Sequence, residues 1–269
     1  MPRYRLRAHG ETTGPTSPLK YDPPGVVGAS IAVGTSELRI HGQDRVLVDP
    51  ELGLFAVFDG VGGVAGSERA AECAARELPQ LCRRLPGDPL ERLARALTAL
   101  SSKIAARQLG ATTATALWLV GRVGWWISVG DSRLYLLRDQ ELVQLSRDQG
   151  EGNLLDSALG FPEPDGSLTR QRGRLDLHSG DRMALVTDGV TGDFPPDILG
   201  PQELAAALSG SSAQLAAELL VGAGRKRDDR TAVVLDWLGP MDEPDRVPAP
   251  VGGPGPLPPG GAGALPRPR

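Results

Sequence analysis

Hydrophobic residues recur with two different periods along this chain, and the periods predict which segments are strands and which are helices. Three short apolar runs near the start have strand length and are rich in β-branched or aromatic residues: 29–33, 45–48 and 53–58. Residues 67–85 then place apolar side chains at helical spacing, and 90–104 carry a stripe of leucines ending in an isoleucine. We expect two helices here, with apolar faces that cover a sheet.

The second half of the chain is dominated by closely spaced strand patterns. Short turns separate four of them: 112–120, 125–130, 133–138 and 141–146. Such spacing favours antiparallel pairing. Further elements are predicted downstream: strands at 182–187 and 231–238, helices at 201–208 and 213–223. Antiparallel strands with helices grouped in pairs indicate an α+β layered domain rather than a doubly wound one.

Both ends of the sequence lack this periodicity. The first 25 residues mix Gly, Ser, Thr and Pro, and the stretch from 239 onward is dominated by Pro and Gly. Such composition cannot bury enough apolar surface to order a chain. We therefore expect a flexible segment at 1–25, one packed domain at 26–238 and a disordered tail at 239–269.

Charge and composition narrow the function classes. The formal net charge is −4 and the pI about 5.5, which argues against a general binder of nucleic acid or of anionic membrane. The sequence has neither a long apolar run nor a signal-like start, so we expect a cytoplasmic protein. Two cysteines, Cys73 and Cys82, fit no zinc or disulfide framework and are expected to be reduced and structural.

Aspartates stand at the ends of several predicted strands. Asp59, Asp131 and Asp188 each follow a strand, and the pair Asp228-Asp229 precedes the last one. Carboxylates at strand ends can converge on one rim of a sheet, where they repel each other unless a hard divalent cation neutralises them. A single Asp-Gly pair after a strand is usually only a turn signal, so the joint occurrence carries the interpretation.

These aspartates lie within a set of six motifs, and the motifs in their order along the chain resemble those of a known protein family. They read GQDRVLVD (42–49), FAVFDGVGG (55–63), GATTAT (110–115), SVGDSRLYLLRD (128–139), SGDRMALVTDGVTGDF (179–194) and DDRTAVVL (228–235). In identity, order and separation they are similar to those of bacterial PP2C-like (PPM family) metal-dependent phosphatases. The resemblance covers about 29–237 and implies a four-layer α-β-β-α sandwich, with two central antiparallel sheets flanked by helix pairs.

The resemblance also implies a metal site with Mn²⁺ or Mg²⁺, two core ions and a weaker third. Asp59 matches the carboxylate that bridges the two core ions, and Gly60 matches a residue that offers its backbone carbonyl. The remaining implied residues are Asp188 and Asp228 as further ligands of the core, Asp131 at the third site, Asp44 as the acidic residue that holds a metal-bound water, and Arg39 as the anchor for substrate phosphate.

The implied activity is hydrolysis of phosphoserine and phosphothreonine in proteins by a metal-bridging hydroxide, with Asp44 and Asp59 serving catalysis. Phosphorylated proteins are then the expected partners. Two alternatives stay open: a non-catalytic PP2C-like domain that binds a phosphoprotein or another partner, and a phosphatase of small metabolites. Loss of Asp59, Asp188 or Asp228 would be the signature of the first, and all three are present.

Three departures from the family pattern stand out. Asp229 occupies a position that is usually Asn, where it either strengthens cation binding or pairs with a nearby basic residue. Val64 stands where many relatives carry a histidine. The connection 146–160 is shorter than the usual flap, which predicts an open cleft and makes substrate specificity the least transferable property.

Overall fold

A computed structural model describes residues 29–36, 42–152, 154–161 and 167–239 of the chain, with the backbone alone described at 29–36. Twelve strands and five helices fall within these residues. Ten of the strands form two antiparallel sheets, as the sequence predicts.

The first sheet has the order β10-β5-β4-β3-β2. Its strands are β2 (Arg45–Asp49), β3 (Leu54–Phe58), β4 (Ala114–Val120), β5 (Val123–Val129) and β10 (Gln171–Asp176). The second sheet has the order β1-β12-β11-β6-β7. Its strands are β1 (Ala29–Ser36), β6 (Arg133–Arg138), β7 (Glu141–Gln144), β11 (Arg182–Val186) and β12 (Arg230–Trp237).

Three hydrophobic cores separate four layers. The helices α1 (Ser67–Arg84) and α2 (Pro89–Ala106) bury their apolar faces against the outer side of the first sheet. A second core fills the space between the sheets, with Phe55 of β3 and Trp237 of β12 among its largest side chains. The helices α4 (Pro201–Leu208) and α5 (Ala213–Ala223) cover the second sheet. The predicted α-β-β-α sandwich is confirmed.

The sequence patterns missed three small elements. The edge strand β10 buries only Leu175, because its other positions are glycine or polar. A short helix, α3 (Asp188–Thr191), begins directly after β11. The connection 146–160 contains a two-stranded hairpin, β8 (Gly150–Glu151) with β9 (Leu154–Leu155).

Antiparallel register brings the aspartate-bearing strand ends together within each sheet. In the first sheet Phe58, the last residue of β3, pairs with Arg45, the first of β2, so Asp59 and Asp44 lie at the same end. In the second sheet Val186 of β11 pairs with Ala232 near the start of β12. Asp188 and Asp228 therefore also share one end of their sheet.

Three further expectations concern membrane spans, the cysteines and the domain limits. Among the described residues no helix is long and apolar enough to cross a membrane. Cys73 and Cys82 are both free and buried in α1, as expected. Nearly all of the predicted terminal segments, 1–25 and 239–269, lies outside the described residues, so the proposed domain limits stay a prediction.

Candidate active site

Asp59 leaves the fully buried strand β3 and is held through its backbone. Its N–H donates to Oγ1 of Thr113 at 3.0 Å. Its carbonyl accepts from the N–H of Thr113 and from Oγ1 of Thr112, each at 2.8 Å. The GATTAT motif thus fixes the main chain of Asp59, so that the carboxylate is positioned by rigid neighbours. The motif belongs to the family pattern, but the sequence did not reveal this function.

Glycines next to two of the aspartates permit close backbone approach. A Cβ on Gly60 would lie 2.9 Å from the backbone of Ser67 at the start of α1. A Cβ on Gly189 would lie only 1.8 Å from the carbonyl oxygen of Asp229. These approaches require glycine, and they bring α1 against Asp59 and the loop before β12 against Asp188.

Asp44 is held by two threonines from the other sheet. Its Oδ2 accepts hydrogen bonds from Oγ1 of Thr187 at 2.8 Å and from Oγ1 of Thr231 at 2.7 Å. The N–H of Thr231 also donates to Oγ1 of Thr187 at 3.1 Å. Asp44 therefore joins the two sheets at the site, and its Oδ1 is buried without a hydrogen-bond partner.

Asp131 follows β5 through Gly130, which has a positive φ of 95°. A side chain at Gly130 would also strike Thr113, at 2.7 Å from its Cγ2. Gln149, from the 146–160 connection, forms two hydrogen bonds with the same glycine. Its N–H donates to the Gly130 carbonyl at 3.1 Å, and its Oε1 accepts from the Gly130 N–H at 2.9 Å. The 146–160 connection is thus tied to the turn that presents Asp131.

We call the aspartates gathered at this end of the sandwich the carboxylate cluster: Asp44, Asp59, Asp131, Asp188, Asp193 and Asp228. Sequence reasoning missed Asp193. Carboxylate oxygens of Asp131, Asp188 and Asp193 lie within 4.8 Å of one another, a spacing that could hold a metal ion. The only sequence signal for Asp193 is its place inside the motif that contains Asp188.

The electrostatics of the carboxylate cluster are those of crowded anions. Burial raises the pKa of Asp44 to about 7 against the opposing hydrogen bonds from Thr231 and Thr187. Burial, followed by repulsion from Asp188, raises the pKa of Asp131 to about 7. The pKa of Asp59 is raised well above its usual value by burial and then by repulsion from neighbouring carboxylates.

Three buried oxygens in the carboxylate cluster have no hydrogen-bond partner: Oδ1 of Asp44, of Asp131 and of Asp188. A buried, unpartnered carboxylate oxygen is costly unless a cation or donor meets it. Hard oxygen donors in a crowded anionic set are the ligands that Mg²⁺ and Mn²⁺ prefer. The residues present therefore fit the divalent ions that the family resemblance implies.

Among the residues that the structure describes, one basic side chain, that of Lys226, enters the carboxylate cluster. Nζ of Lys226 contacts Oδ2 of Asp188, and it lies 2.8 Å from Oδ2 of Asp193 and 3.4 Å from Oδ2 of Asp228. Burial opposes the charged form of the lysine, but its pKa is nevertheless raised, by Asp188 and then by Asp193. The sequence suggested Lys226 only as a partner of Asp229.

Three further positions in or near the motifs have different outcomes. Arg39 lies outside the described residues, so its proposed contact with phosphate stays a prediction. Asp229 is 3% exposed, and its Oδ2 accepts from the N–H of Gln43 at 2.6 Å. Arg133, the first residue of β6, forms a bidentate ion pair with Asp148, which is a structural contact.

Comparison with known proteins agrees with this geometry. The family model described as protein phosphatase 2C matches residues 34–220. The serine/threonine protein phosphatase PstP of Mycobacterium tuberculosis is 32% identical over an alignment that covers 57% of this chain and 34% of PstP. A putative protein phosphatase 2C of Oryza sativa is 29% identical, with 56% of this chain and 50% of that protein covered. The chain thus spans between a third and a half of these relatives.

Solved structures extend the similarity to the fold. The phosphatase PstP of M. tuberculosis has a TM-score of 0.64 at 27% identity, with 78% of this chain and 98% of that chain covered. A catalytic domain of PstP, solved in complex with two manganese ions, has a TM-score of 0.63 at 29% identity, covering 77% and 97%. PppA, a regulatory component of type VI secretion in Pseudomonas aeruginosa, has a TM-score of 0.64 at 25% identity, covering 79% and 99%.

Since the family model matches well over half of the sequence and the same two-sheet architecture recurs in solved phosphatases, the chain belongs to the protein phosphatase 2C family.

Proposed function

We propose that this chain is a Mn²⁺- or Mg²⁺-dependent phosphatase that hydrolyses phosphoserine and phosphothreonine in proteins. The observation that carries the proposal is the carboxylate cluster itself, whose three buried, unpartnered oxygens are costly unless a cation or a donor meets them. The manganese-bound relative supports the choice of ion.

The proposed ligand set is the one that the family resemblance implies, and it is supported by the gathering of these side chains in the carboxylate cluster. Asp59 and the Gly60 carbonyl, with Asp188 and Asp228, would hold two core ions, and Asp131 would belong to a third, weaker position. Bound divalent ions lower the pKa of coordinated water and offset charge on a phosphoryl group. The fixed backbone of Asp59, bonded to Thr112 and Thr113, keeps this ligand in place without reorganisation.

Asp44 is proposed to act on the nucleophilic water rather than as a principal ligand. Two hydroxyl donors engage its Oδ2 and orient the carboxylate, which leaves Oδ1 as the available acceptor. Burial raises the pKa of Asp44 to about 7 in the metal-free protein, and bound cations would lower that pKa and favour the carboxylate, the form that accepts a hydrogen bond from a metal-bound water. Arg39 is proposed to bind substrate phosphate, since a guanidinium can donate two parallel hydrogen bonds to it.

One observation favours a second candidate function, a non-catalytic domain that binds a phosphoprotein or another partner. Lys226 contacts Asp188 and Asp228, two of the proposed core ligands. An ammonium that displaced both core ions would leave the fold intact and the site inert. Retention of Asp59, with the unpartnered Oδ1 atoms of Asp44 and Asp188, supports the enzyme.

The deciding experiment is a metal titration of turnover with p-nitrophenyl phosphate and a phosphothreonine peptide. Wild type should be inactive in EDTA and recover with Mn²⁺, while Asp59→Asn should lose activity by roughly 10³-fold or more, a loss typical of removing a central electrostatic group. Arg39→Ala should raise KM with metal affinity nearly unchanged. Asp176→Asn, an exposed aspartate on β10, is the matched control.

Each alternative has its own result in this assay. No turnover of any phosphomonoester by metal-replete wild type would favour the binding domain. Turnover of p-nitrophenyl phosphate with no activity on phosphopeptides would favour a phosphatase of small metabolites. Equal rates for wild type and Asp59→Asn would contradict a metal-dependent mechanism at this site.

A further inference from the structure

Lys226 differs from its basic neighbour in the direction of its side chain. Arg225 extends outward to pair with Glu203, and both of those side chains are 45% exposed. The Lys226 side chain is 18% exposed and reaches into the carboxylate cluster. The sequence thus places three cations side by side at 225–227, and the fold directs Lys226 into the site while Arg225 and Arg227 are exposed.

The course of the backbone fixes this direction. Gly224 allows the chain to pass close to the turn after β11, since a Cβ there would lie 2.8 Å from the carbonyl oxygen of Gly189. The carbonyl of Lys226 then accepts a hydrogen bond from Nη2 of Arg230 at 3.2 Å. These contacts anchor the start of the side chain beside α3, which begins with Asp188.

The ammonium lies where three carboxylates would otherwise face one another uncompensated. It touches Asp188 and Asp193, two members of the Asp131-Asp188-Asp193 group whose oxygens lie within 4.8 Å. Its contact with Asp228, at 3.4 Å, is the longest of its three. The ammonium therefore lies closer to Asp188 and Asp193, which belong to the group at the third cation position, than to Asp228 of the proposed core set.

The two carboxylate oxygens of Asp188 lie in different surroundings. Its Oδ2 contacts the ammonium, whereas its Oδ1 is buried and unpartnered. Within the part of the chain that the structure describes, the ion pairs of Lys226 do not include Asp59. A lysine can thus satisfy one oxygen of Asp188 while the other stays available to a core ion.

We propose that Lys226 is a tethered third cation, which replaces a divalent ion among Asp131, Asp188 and Asp193 and leaves the core pair of sites open. This inference rests on the proposed function, because it assumes that two ions bind beside the lysine. A compact point charge on a flexible stem suits the role. The chain should then need two ions rather than three, and its metal-free form should be stabilised by its own side chain.

The test counts bound Mn²⁺ directly, by calorimetry and by the electron paramagnetic resonance signal of the free ion. Wild type should bind two ions. Lys226→Met keeps much of the stem but removes the charge, and it should bind a third ion, with affinity for that ion higher by roughly 10- to 100-fold, because a positive charge a few ångströms away no longer repels it. Arg225→Met, next in sequence but directed outward, should match wild type.

Thermal unfolding gives a second readout that does not depend on activity. In EDTA, Lys226→Met should unfold at a lower temperature than wild type, because its carboxylates lose their cation. Saturating Mn²⁺ should abolish the difference, whereas a merely structural role for the lysine stem would leave it unchanged. If the variant fails to fold in EDTA, it is purified and counted in Mn²⁺, and Lys226→Arg tests whether charge alone restores wild-type behaviour.

The outcomes separate this inference from the proposed function. Three ions in wild type, or two in both proteins, would overturn the tethered cation and leave the proposed phosphatase intact. No ion in either protein would contradict the proposed function and, with it, the inference. No ion in wild type but two or more in Lys226→Met would show that the lysine excludes the core pair, which overturns the inference and supports the non-catalytic domain.

Discussion

Thr231 donates a 2.7 Å hydrogen bond to Asp44, although 187 positions separate them in the sequence. Thr187 donates to the same oxygen from the neighbouring strand end, at 2.8 Å. Thr231 lies in β12 and Thr187 directly follows β11 of the second sheet, whereas Asp44 directly precedes β2 of the first, so the contact joins the two sheets at the site. It also decides which oxygen of Asp44 faces the rest of the carboxylate cluster.

Replacing Thr231 by valine should weaken the site without changing its shape. The variant removes one of two donors that oppose the rise in the pKa of Asp44, so that pKa should increase further and the acid limb of the pH–rate profile should move to higher pH. A loss of activity or Mn²⁺ affinity of roughly 10- to 100-fold is typical for a residue that orients a ligand group. Steady-state kinetics and calorimetry measure both.

The matched control is Thr98→Val on α2, the helix that covers the outer side of the first sheet; its hydroxyl donates to a carbonyl of its own helix at 3.0 Å. It removes the same atoms far from the carboxylate cluster. An unshifted pH profile and unchanged Mn²⁺ affinity in Thr231→Val would contradict the role given to this hydroxyl.

The metal-free protein should lose stability as pH rises toward neutrality. Burial raises the pKa of both Asp44 and Asp131 to about 7, whereas an unfolded aspartate titrates near pH ~3.9. Between about pH 4 and pH 7 the folded chain therefore binds more protons than the unfolded chain, and stability falls across that window. Bound Mn²⁺ should reverse this trend, because cation binding requires the charged carboxylates.

Thermal denaturation in EDTA at about pH 5.5 and about pH 8 checks the direction. Unfolding temperatures should be lower at the higher pH, and the gain on adding Mn²⁺ should be larger there. The double variant Asp44→Asn, Asp131→Asn removes two of the groups that titrate, so its pH dependence in EDTA should be smaller. A metal-free wild type that becomes more stable over this range would show that other groups dominate.

The layered fold could be predicted from the sequence because its elements have strong hydrophobic periods. Strands such as β3 are buried at every position, and α4 and α5 coincide with the predicted helices 201–208 and 213–223. By contrast, β10 alternates glycine, arginine and glutamine with a single buried leucine. Backbone hydrogen bonds to β5 hold this edge strand in place. They require no particular side chains, so the sequence shows no strand pattern there.

The site shows the same division between local and distant information. Asp59, Asp131 and Asp188 could be proposed because each directly follows a strand. Asp193 and Lys226 could not, since their contact depends on the separate courses of two loops. The basic run 225–227 before Asp228 was the available signal, but sequence does not reveal which of its side chains points inward.

Gly189→Ala should disturb the site through the backbone. The new Cβ would lie 1.8 Å from the carbonyl oxygen of Asp229, so the loop that carries Asp228 must move. Overpacking of this kind costs about 1–3 kcal/mol of unfolding free energy, and we also expect weaker Mn²⁺ binding. Chemical denaturation and metal titration measure the two effects.

Gly222→Ala is the control for the glycine substitution, because a Cβ at this position of α5 would have nothing within 4 Å. Alanine inside a helix should stabilise the chain by about 0.5–1 kcal/mol relative to glycine. A Gly189→Ala protein as stable as wild type, with normal Mn²⁺ affinity, would mean that the loop before β12 can move freely without loss to the site.

The short 146–160 connection should give broad selectivity among phosphopeptides. Gln149 ties it to Gly130, and its small hairpin presents Leu154, which is 77% exposed. A connection shorter than the flap of the family pattern would cover less of the cleft, and discrimination among flanking residues requires contacts or clashes. Values of kcat/KM for peptides with acidic, basic and apolar flanks should therefore differ by less than about tenfold, the effect of a single modest contact.

Leu154→Ser should narrow any preference for apolar flanks without changing turnover of p-nitrophenyl phosphate. A strong preference for one flanking sequence that persists in this variant would show that another surface of the cleft selects the substrate.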